Sequence, residues 1–279
     1  MTLEERQEEW YNNHDNYLIE TTKDDSKRTV AIYFCSNNLF YPHTLEQFEK
    51  SVVKKDRYEW YGCRVQRASK HIFVRDVYKQ WYATGLNKNI PDADSMLLFL
   101  QKECEGFSEI VTIGSSAGGY ASILFGTMLN ANICFSFNAQ WELFTSVERG
   151  GRVVSPKLYQ LRELGGAKYM DIAKPEFDNN SVFYFISKQS LWDIEQNNHA
   201  VNMTHVNRVY FKSSHHGIPF LKCSLENILQ YDKGRLLNFS GNTFNPIYFS
   251  CKISGLKTSF TFLAKEIWQK KIKKKLLFS

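Results

Sequence analysis

Short, near-continuous apolar runs punctuate an otherwise polar chain. They fall at 29–34 (Thr-Val-Ala-Ile-Tyr-Phe), 110–113 (Ile-Val-Thr-Ile), 133–137 (Ile-Cys-Phe-Ser-Phe), 181–187 (Ser-Val-Phe-Tyr-Phe-Ile-Ser) and 206–211 (Val-Asn-Arg-Val-Tyr-Phe). Strands covered on both faces are apolar throughout rather than alternating, so these runs predict central strands of a parallel sheet. Further short strands are expected at 58–63 and 71–74, and a loop with a short helix at 76–86. Residues 3–11 predict a helix within a charged, loose approach to the core, 1–27. Another helix is expected over 91–104, where Asp92 and Asp94 put carboxylates at the end that an N-terminal turn prefers. Strand, helix, strand, helix is the rhythm of an α/β fold with a mostly parallel central sheet flanked by helices. Residues 142–180, with Gly150-Gly151 and Gly165-Gly166 and weak strand character, interrupt it and predict a cap insertion over the site.

The strand at 110–113 runs into Gly114-Ser115-Ser116-Ala117-Gly118 and then a small, helix-compatible segment. That is the G-x-S-x-G pattern of a nucleophile elbow, in which Ser116 sits on a tight strand-to-helix turn and Gly114 and Gly118, two positions to either side, are glycine because backbones nearly touch there. In such elbows one oxyanion donor is the N–H after the nucleophile, here Ala117, and the other comes from the loop after an early central strand, here Ser36 or Asn37. Asp193 follows the strand at 181–187, and His215-His216-Gly217 follows the strand at 206–211. The order serine, acid, histidine, each just past a strand, is that of a Ser–His–Asp triad. His216 is the preferred base, because Gly217 lets the loop bend and Pro219 stiffens it, with His215 as the alternative. Asp171 and Asp178 precede their strand, and His199 and His205 lie in a connection, so none of these four is expected at the site.

Composition removes several classes of function. The six cysteines are scattered with no Cys-x-x-Cys pair or His/Cys cluster, so neither a metal site nor a disulfide framework is expected. An amino terminus reading Met-Thr-Leu-Glu-Glu-Arg lacks the apolar stretch of a signal peptide, and no window is apolar enough for a membrane span, so a cytoplasmic protein is expected. Net charge is +6, and no nucleic-acid-binding motif accompanies it. Much of the charge lies in a basic tail over 253–279, where Lys265, Lys270, Lys271, Lys273, Lys274 and Lys275 alternate with Ile267, Trp268, Ile272, Leu276 and Leu277. A solvated helix packed on the domain and a helix touching the inner, anionic face of a membrane, an acidic polymer or a partner both fit that pattern. The expected organisation is a domain over 1–252, containing the insertion, followed by this tail.

Taken together, Gly114-Ser115-Ser116-Ala117-Gly118-Gly119-Tyr120, Asp193 and His216-Gly217-Ile218-Pro219-Phe220 resemble α/β-hydrolase-fold proteins of bacterial capsule and surface-polysaccharide clusters, including capsular polysaccharide O-acetyltransferases. The resemblance covers roughly 29–230. It implies acetyl transfer from acetyl-CoA, as cosubstrate rather than a tightly bound cofactor, to a sugar hydroxyl through Ser116, His216 and Asp193. The same triad also serves a carbohydrate esterase or deacetylase. A non-catalytic polysaccharide-assembly protein of the same fold is the third reading.

Overall fold

The computed structural model describes residues 1–22, 28–154, 156–163 and 168–276. Gly165, Gly166 and Leu277 fall outside them. Eight strands, β1 Tyr17–Thr21, β2 Thr29–Phe34, β3 Lys70–Val74, β4 Glu109–Ser115, β5 Ile133–Phe137, β6 Val182–Ser187, β7 Asn207–Phe211 and β8 Thr243–Phe244, form one sheet in the order β1-β3-β2-β4-β5-β6-β7-β8. Every neighbouring pair is parallel except β1 with β3. The apolar runs predicted as central strands are those strands, within a residue at each end except for β4, which starts at Glu109 and ends at Ser115. Every residue of β2, β5 and β6 is buried.

Side chains alternate across the sheet and build two cores. Val30, Ile32 and Phe34 join Met96, Leu100, Tyr120 and Phe125 on one face. Ala31 and Tyr33 join Phe135, Phe137, Phe185 and Phe249 on the other. The Ala93–Cys104 helix starts two residues later than its sequence pattern suggested, capped by Asp92, whose side chain accepts from the Ser95 N–H.

Three local expectations change. Residues 76–86 hold turns and no helix. The segment 58–63 is a series of turns, with Cys63 N–H on the Trp60 carbonyl. Its alternating aromatics are anchors: Tyr58 and Trp60 are buried, and the Trp60 indole donates to the Phe34 carbonyl, 2.9 Å away. The supposedly loose approach contains β1, which pairs antiparallel with β3 from Tyr17 opposite Val74 to Thr21 opposite Lys70. Its residues are half-buried, so it lacks the continuous apolar signature of the central strands.

What positions the site is the register. Phe34 pairs with Gly114, Ser115 with Phe137, Phe137 with Phe185, and Ser187 with Phe211, so the carboxyl ends of β2, β4, β5, β6 and β7 finish along one edge. The chain runs from β2 to β3 on one side and returns to β4 on the other, which opens a crevice between the loops after β2 and β4. The insertion lies between β5 and β6 and includes the helices Phe144–Val154 and Pro156–Glu163. The chain continues past β8 into Pro246–Ser254 and Leu256–Leu276, two helices broken at Gly255, whose φ is +82°. All six cysteines are free.

Candidate active site

Ser116 is the first residue past β4 and the cap of the Ala117–Met128 helix, with φ +54° and ψ −121°. Positive φ is costly for a side-chain-bearing residue, and it persists here because both flanks are fixed. The Ser116 N–H continues the ladder onto the Phe137 carbonyl at 2.9 Å. A Cβ on Gly114 would stand 1.9 Å from the Gly118 carbonyl oxygen, and one on Gly118 would stand 2.3 Å from the Phe34 carbonyl oxygen. Both elbow glycines are therefore required by the approach of β4, the helix and β2. The start of the helix also favours negative charge beside Ser116.

Ser116 Oγ lies 2.8 Å from His216 Nε2, and His216 Nδ1 lies 2.7 Å from Asp193 Oδ1. Asp193 is fully buried in the first turn of the Leu191–His199 helix, where Ser190 caps the end. Its other oxygen, Oδ2, has no hydrogen-bond partner among the described residues. Of the two adjacent histidines, His216 is the one that meets both partners. His215 lines the same depression from its rim. The other acids and histidines pair among themselves elsewhere, Asp171 with His199 at 3.0 Å and Asp178 with His205 at 2.8 Å. Strand, elbow and helix, with an acid after β6 and a histidine after β7, make this an α/β-hydrolase fold.

Asn138 and Ser187 belong to this arrangement although the sequence pattern gave them no role at the site. Asn138, at positive φ just after β5, donates through Nδ2 to the carbonyls of His215 at 3.2 Å and Gly217 at 2.9 Å. Ser187 Oγ donates to the His215 carbonyl at 2.7 Å, and its N–H donates to Asn138 Oδ1 at 2.8 Å. The carbonyls of the two residues flanking His216 are thus held. The available signal was a polar residue at the end of each of two apolar strands, a position where a side chain reaches the next loop.

The loop after β2 distinguishes the two candidate donors by their bonding. The Ser36 N–H donates to Glu59 Oε2 at 2.5 Å and its hydroxyl to Glu59 Oε1 at 3.0 Å, while Ser36 Oγ accepts from the Asn38 N–H. With its N–H occupied, Ser36 is not an available oxyanion donor. Asn37 N–H has no hydrogen-bond partner among the described residues, and Ala117 N–H stands at the open start of the helix. Burial pushes the Glu59 carboxyl up from its ordinary value, against the opposing pull of the Ser36 bonds and of Arg57 and Lys222.

Ser116 and His216 open into a trough of about 610 Å³, whose wall includes Asn37, Arg57, Glu59 and Lys222. None of the described residues of 142–180 lines it. The insertion instead borders a smaller apolar pocket of about 110 Å³ with Trp81, Tyr120, Leu124, Leu143, Leu158 and Met170. Over its described residues the predicted cap thus faces the Ala93–Cys104 and Ala117–Met128 helices.

No family model matches the chain, and no curated protein does. Among solved structures it is similar to the capsule O-acetyltransferase of Neisseria meningitidis serogroup A, at 12% identity and TM-score 0.47, covering 69% of this chain and 79% of that one. A protein of unknown function from Staphylococcus aureus subsp. aureus Mu50 is similar over 80% of this chain and 94% of that one, at 12% identity and TM-score 0.44. FphF, a fluorophosphonate-binding serine hydrolase of Staphylococcus aureus, is similar at 13% identity and TM-score 0.38, over 70% and 82% of the two chains.

Proposed function

We propose that the chain is a serine acyltransferase that moves acetyl from acetyl-CoA to a hydroxyl of a capsular or surface polysaccharide. The observation that carries the acyl chemistry is the continuous relay from Ser116 Oγ through His216 to buried Asp193, set at a strained elbow in an open trough. Ser116 attacks the thioester carbonyl as His216 takes its proton, and Asp193 stabilises the imidazolium. The oxyanion rests on the N–H groups of Ala117 and Asn37, each such donor being worth about 3 kcal/mol. The C–S bond breaks, CoA leaves with the proton from His216, and Ser116 holds the acetyl ester. A sugar hydroxyl then gives its proton to His216 and bonds to the acetyl carbon, the bond from that carbon to Ser116 Oγ breaks, and Oγ takes the proton back from His216.

Acceptor choice is supported by the trough and by the sequence resemblance. Asn37, Arg57, Glu59 and Lys222 offer donors and acceptors suited to a polyhydroxylated ligand. Positioning one hydroxyl against bulk water is worth roughly 7–11 kcal/mol, enough to favour transfer over hydrolysis. Acetyl-CoA as donor implies a cytoplasmic site of action.

Incubation with acetyl-CoA, with and without capsular oligosaccharides, tests this through free thiol and product mass. Sugar-dependent thiol release with an acetylated oligosaccharide is expected, and Ser116→Ala should lower it by about 10⁴-fold or more. Thiol or ester turnover that yields acetate whatever sugar is present makes the enzyme an esterase. Biological function retained by Ser116→Ala makes it a non-catalytic component.

A further inference from the structure

Residues 256–279 hold seven lysines and one glutamate, which equals the whole net charge of +6, so the rest of the chain is balanced. The Leu256–Leu276 helix that carries the lysines is about 30 Å long. The body covers little of its described part. Ser259 is buried, but Leu256, Phe260, Ile267 and Trp268 are 65%, 57%, 56% and 65% exposed. At about 3.6 residues per turn, Leu256, Phe260 and Ile267 fall on one narrow stripe, and Trp268 stands about a quarter turn round the helix from it. Tyr248 on the preceding helix is exposed too.

We infer that this helix docks on an anionic lipid surface. Its aliphatic and aromatic side chains enter the headgroup region, and its lysines meet the anionic headgroups. A soluble polyanion would satisfy the lysines and leave the apolar stripe in water. A second copy of the chain would cover the stripe and set seven lysines against seven. An anionic membrane matches both features, and an interfacial tryptophan suits its boundary. No helix among the described residues is long and apolar enough to cross a membrane, and the inference is one of surface contact.

The base of the helix is tied to the active-site trough. Ser254 Oγ donates to Ser224 Oγ at 3.0 Å and to the Cys223 carbonyl at 3.4 Å, and it accepts from Asn227 Nδ2 at 3.0 Å. Lys222, in the same Lys222–Ser224 turn, lines the trough.

Sedimentation of the full chain with vesicles tests the inference, comparing pure phosphatidylcholine with a mixture containing about 30% phosphatidylglycerol. The expected result is about tenfold or more tighter binding to the anionic vesicles, reversed by salt raised to about 0.5 M. Replacing Lys270, Lys271, Lys273, Lys274 and Lys275 by Gln should abolish the preference. Phe260→Ser with Trp268→Ser should weaken vesicle binding while leaving binding to soluble dextran sulfate unchanged. Unaltered circular dichroism and melting of each variant show that it is folded. No vesicle binding, equal binding to both vesicles, or lipid-independent dimerisation lost with the apolar substitutions would overturn it.

Discussion

At the scale of single residues, the site depends on a few positions with no sterically neutral replacement. Gly114→Ala is the sharpest case, because its Cβ would meet a main-chain oxygen at 1.9 Å rather than a side chain that could turn away. The β4 end or the helix must move, so a loss of stability of about 3 kcal/mol or more is expected, read as a lower denaturant midpoint and poor soluble yield. Asn138 acts by a different route. Asn138→Asp keeps the shape and tolerates the positive φ, but it sets a carboxylate against the carbonyls of His215 and Gly217. His216 then loses its fixed aim at Ser116. A fall in kcat of about 10²-fold with little change in KM is expected, since donor binding in the trough does not use Asn138. An equal rise in KM with kcat unchanged would remove Asn138 from the positioning of the base.

Among elements, the central strands were legible because burial on both faces leaves an unbroken apolar run, and nothing else in the chain imitates it. The meeting of Ser116, His216 and Asp193 at one candidate site was legible for the same reason, as each follows such a strand. β1 was not, because a half-buried edge strand mixes Leu18 and Ile19 with Glu20. The 58–63 segment misled because buried anchors such as Tyr58 and Trp60 reproduce a two-residue period without a ladder. The donor loop could not be read at all, since Ser36 and Asn37 differ only in a long-range bond to Glu59. Glu59 has a titration signature of its own, set by burial and opposed by the Ser36 bonds. Glu59 has its pKa raised from 4.5, so its contribution to stability is full below that value and is lost as pH rises through the raised one. Glu59→Gln cannot ionise, so its melting temperature should fall less than the wild type's as pH rises from about 4 towards 7. The same variant should lower kcat, because Ser36 no longer has a carboxylate to hold the loop. Parallel melting curves for the two proteins across this range would reject the assignment.

For the whole molecule, the sheet separates two kinds of work. The edge formed by the ends of β2, β4, β6 and β7 carries the relay and the trough, whereas the described insertion packs over the Ala93–Cys104 and Ala117–Met128 helices. Leu158 marks that second region. It is 1% exposed beside Tyr120 and Leu124, and its N–H donates to Gln80 Oε1 at 2.9 Å. Leu158→Ala removes apolar contacts from a region that already holds a small pocket, so the site collapses only in part. A loss of about 2–3 kcal/mol is expected from denaturant unfolding. Because none of the described insertion lines the trough, kcat and KM measured well below the new midpoint should match the parent enzyme. If the variant instead raises KM for the oligosaccharide while leaving small-ester turnover intact, the insertion reaches the acceptor, and the division between the two faces fails.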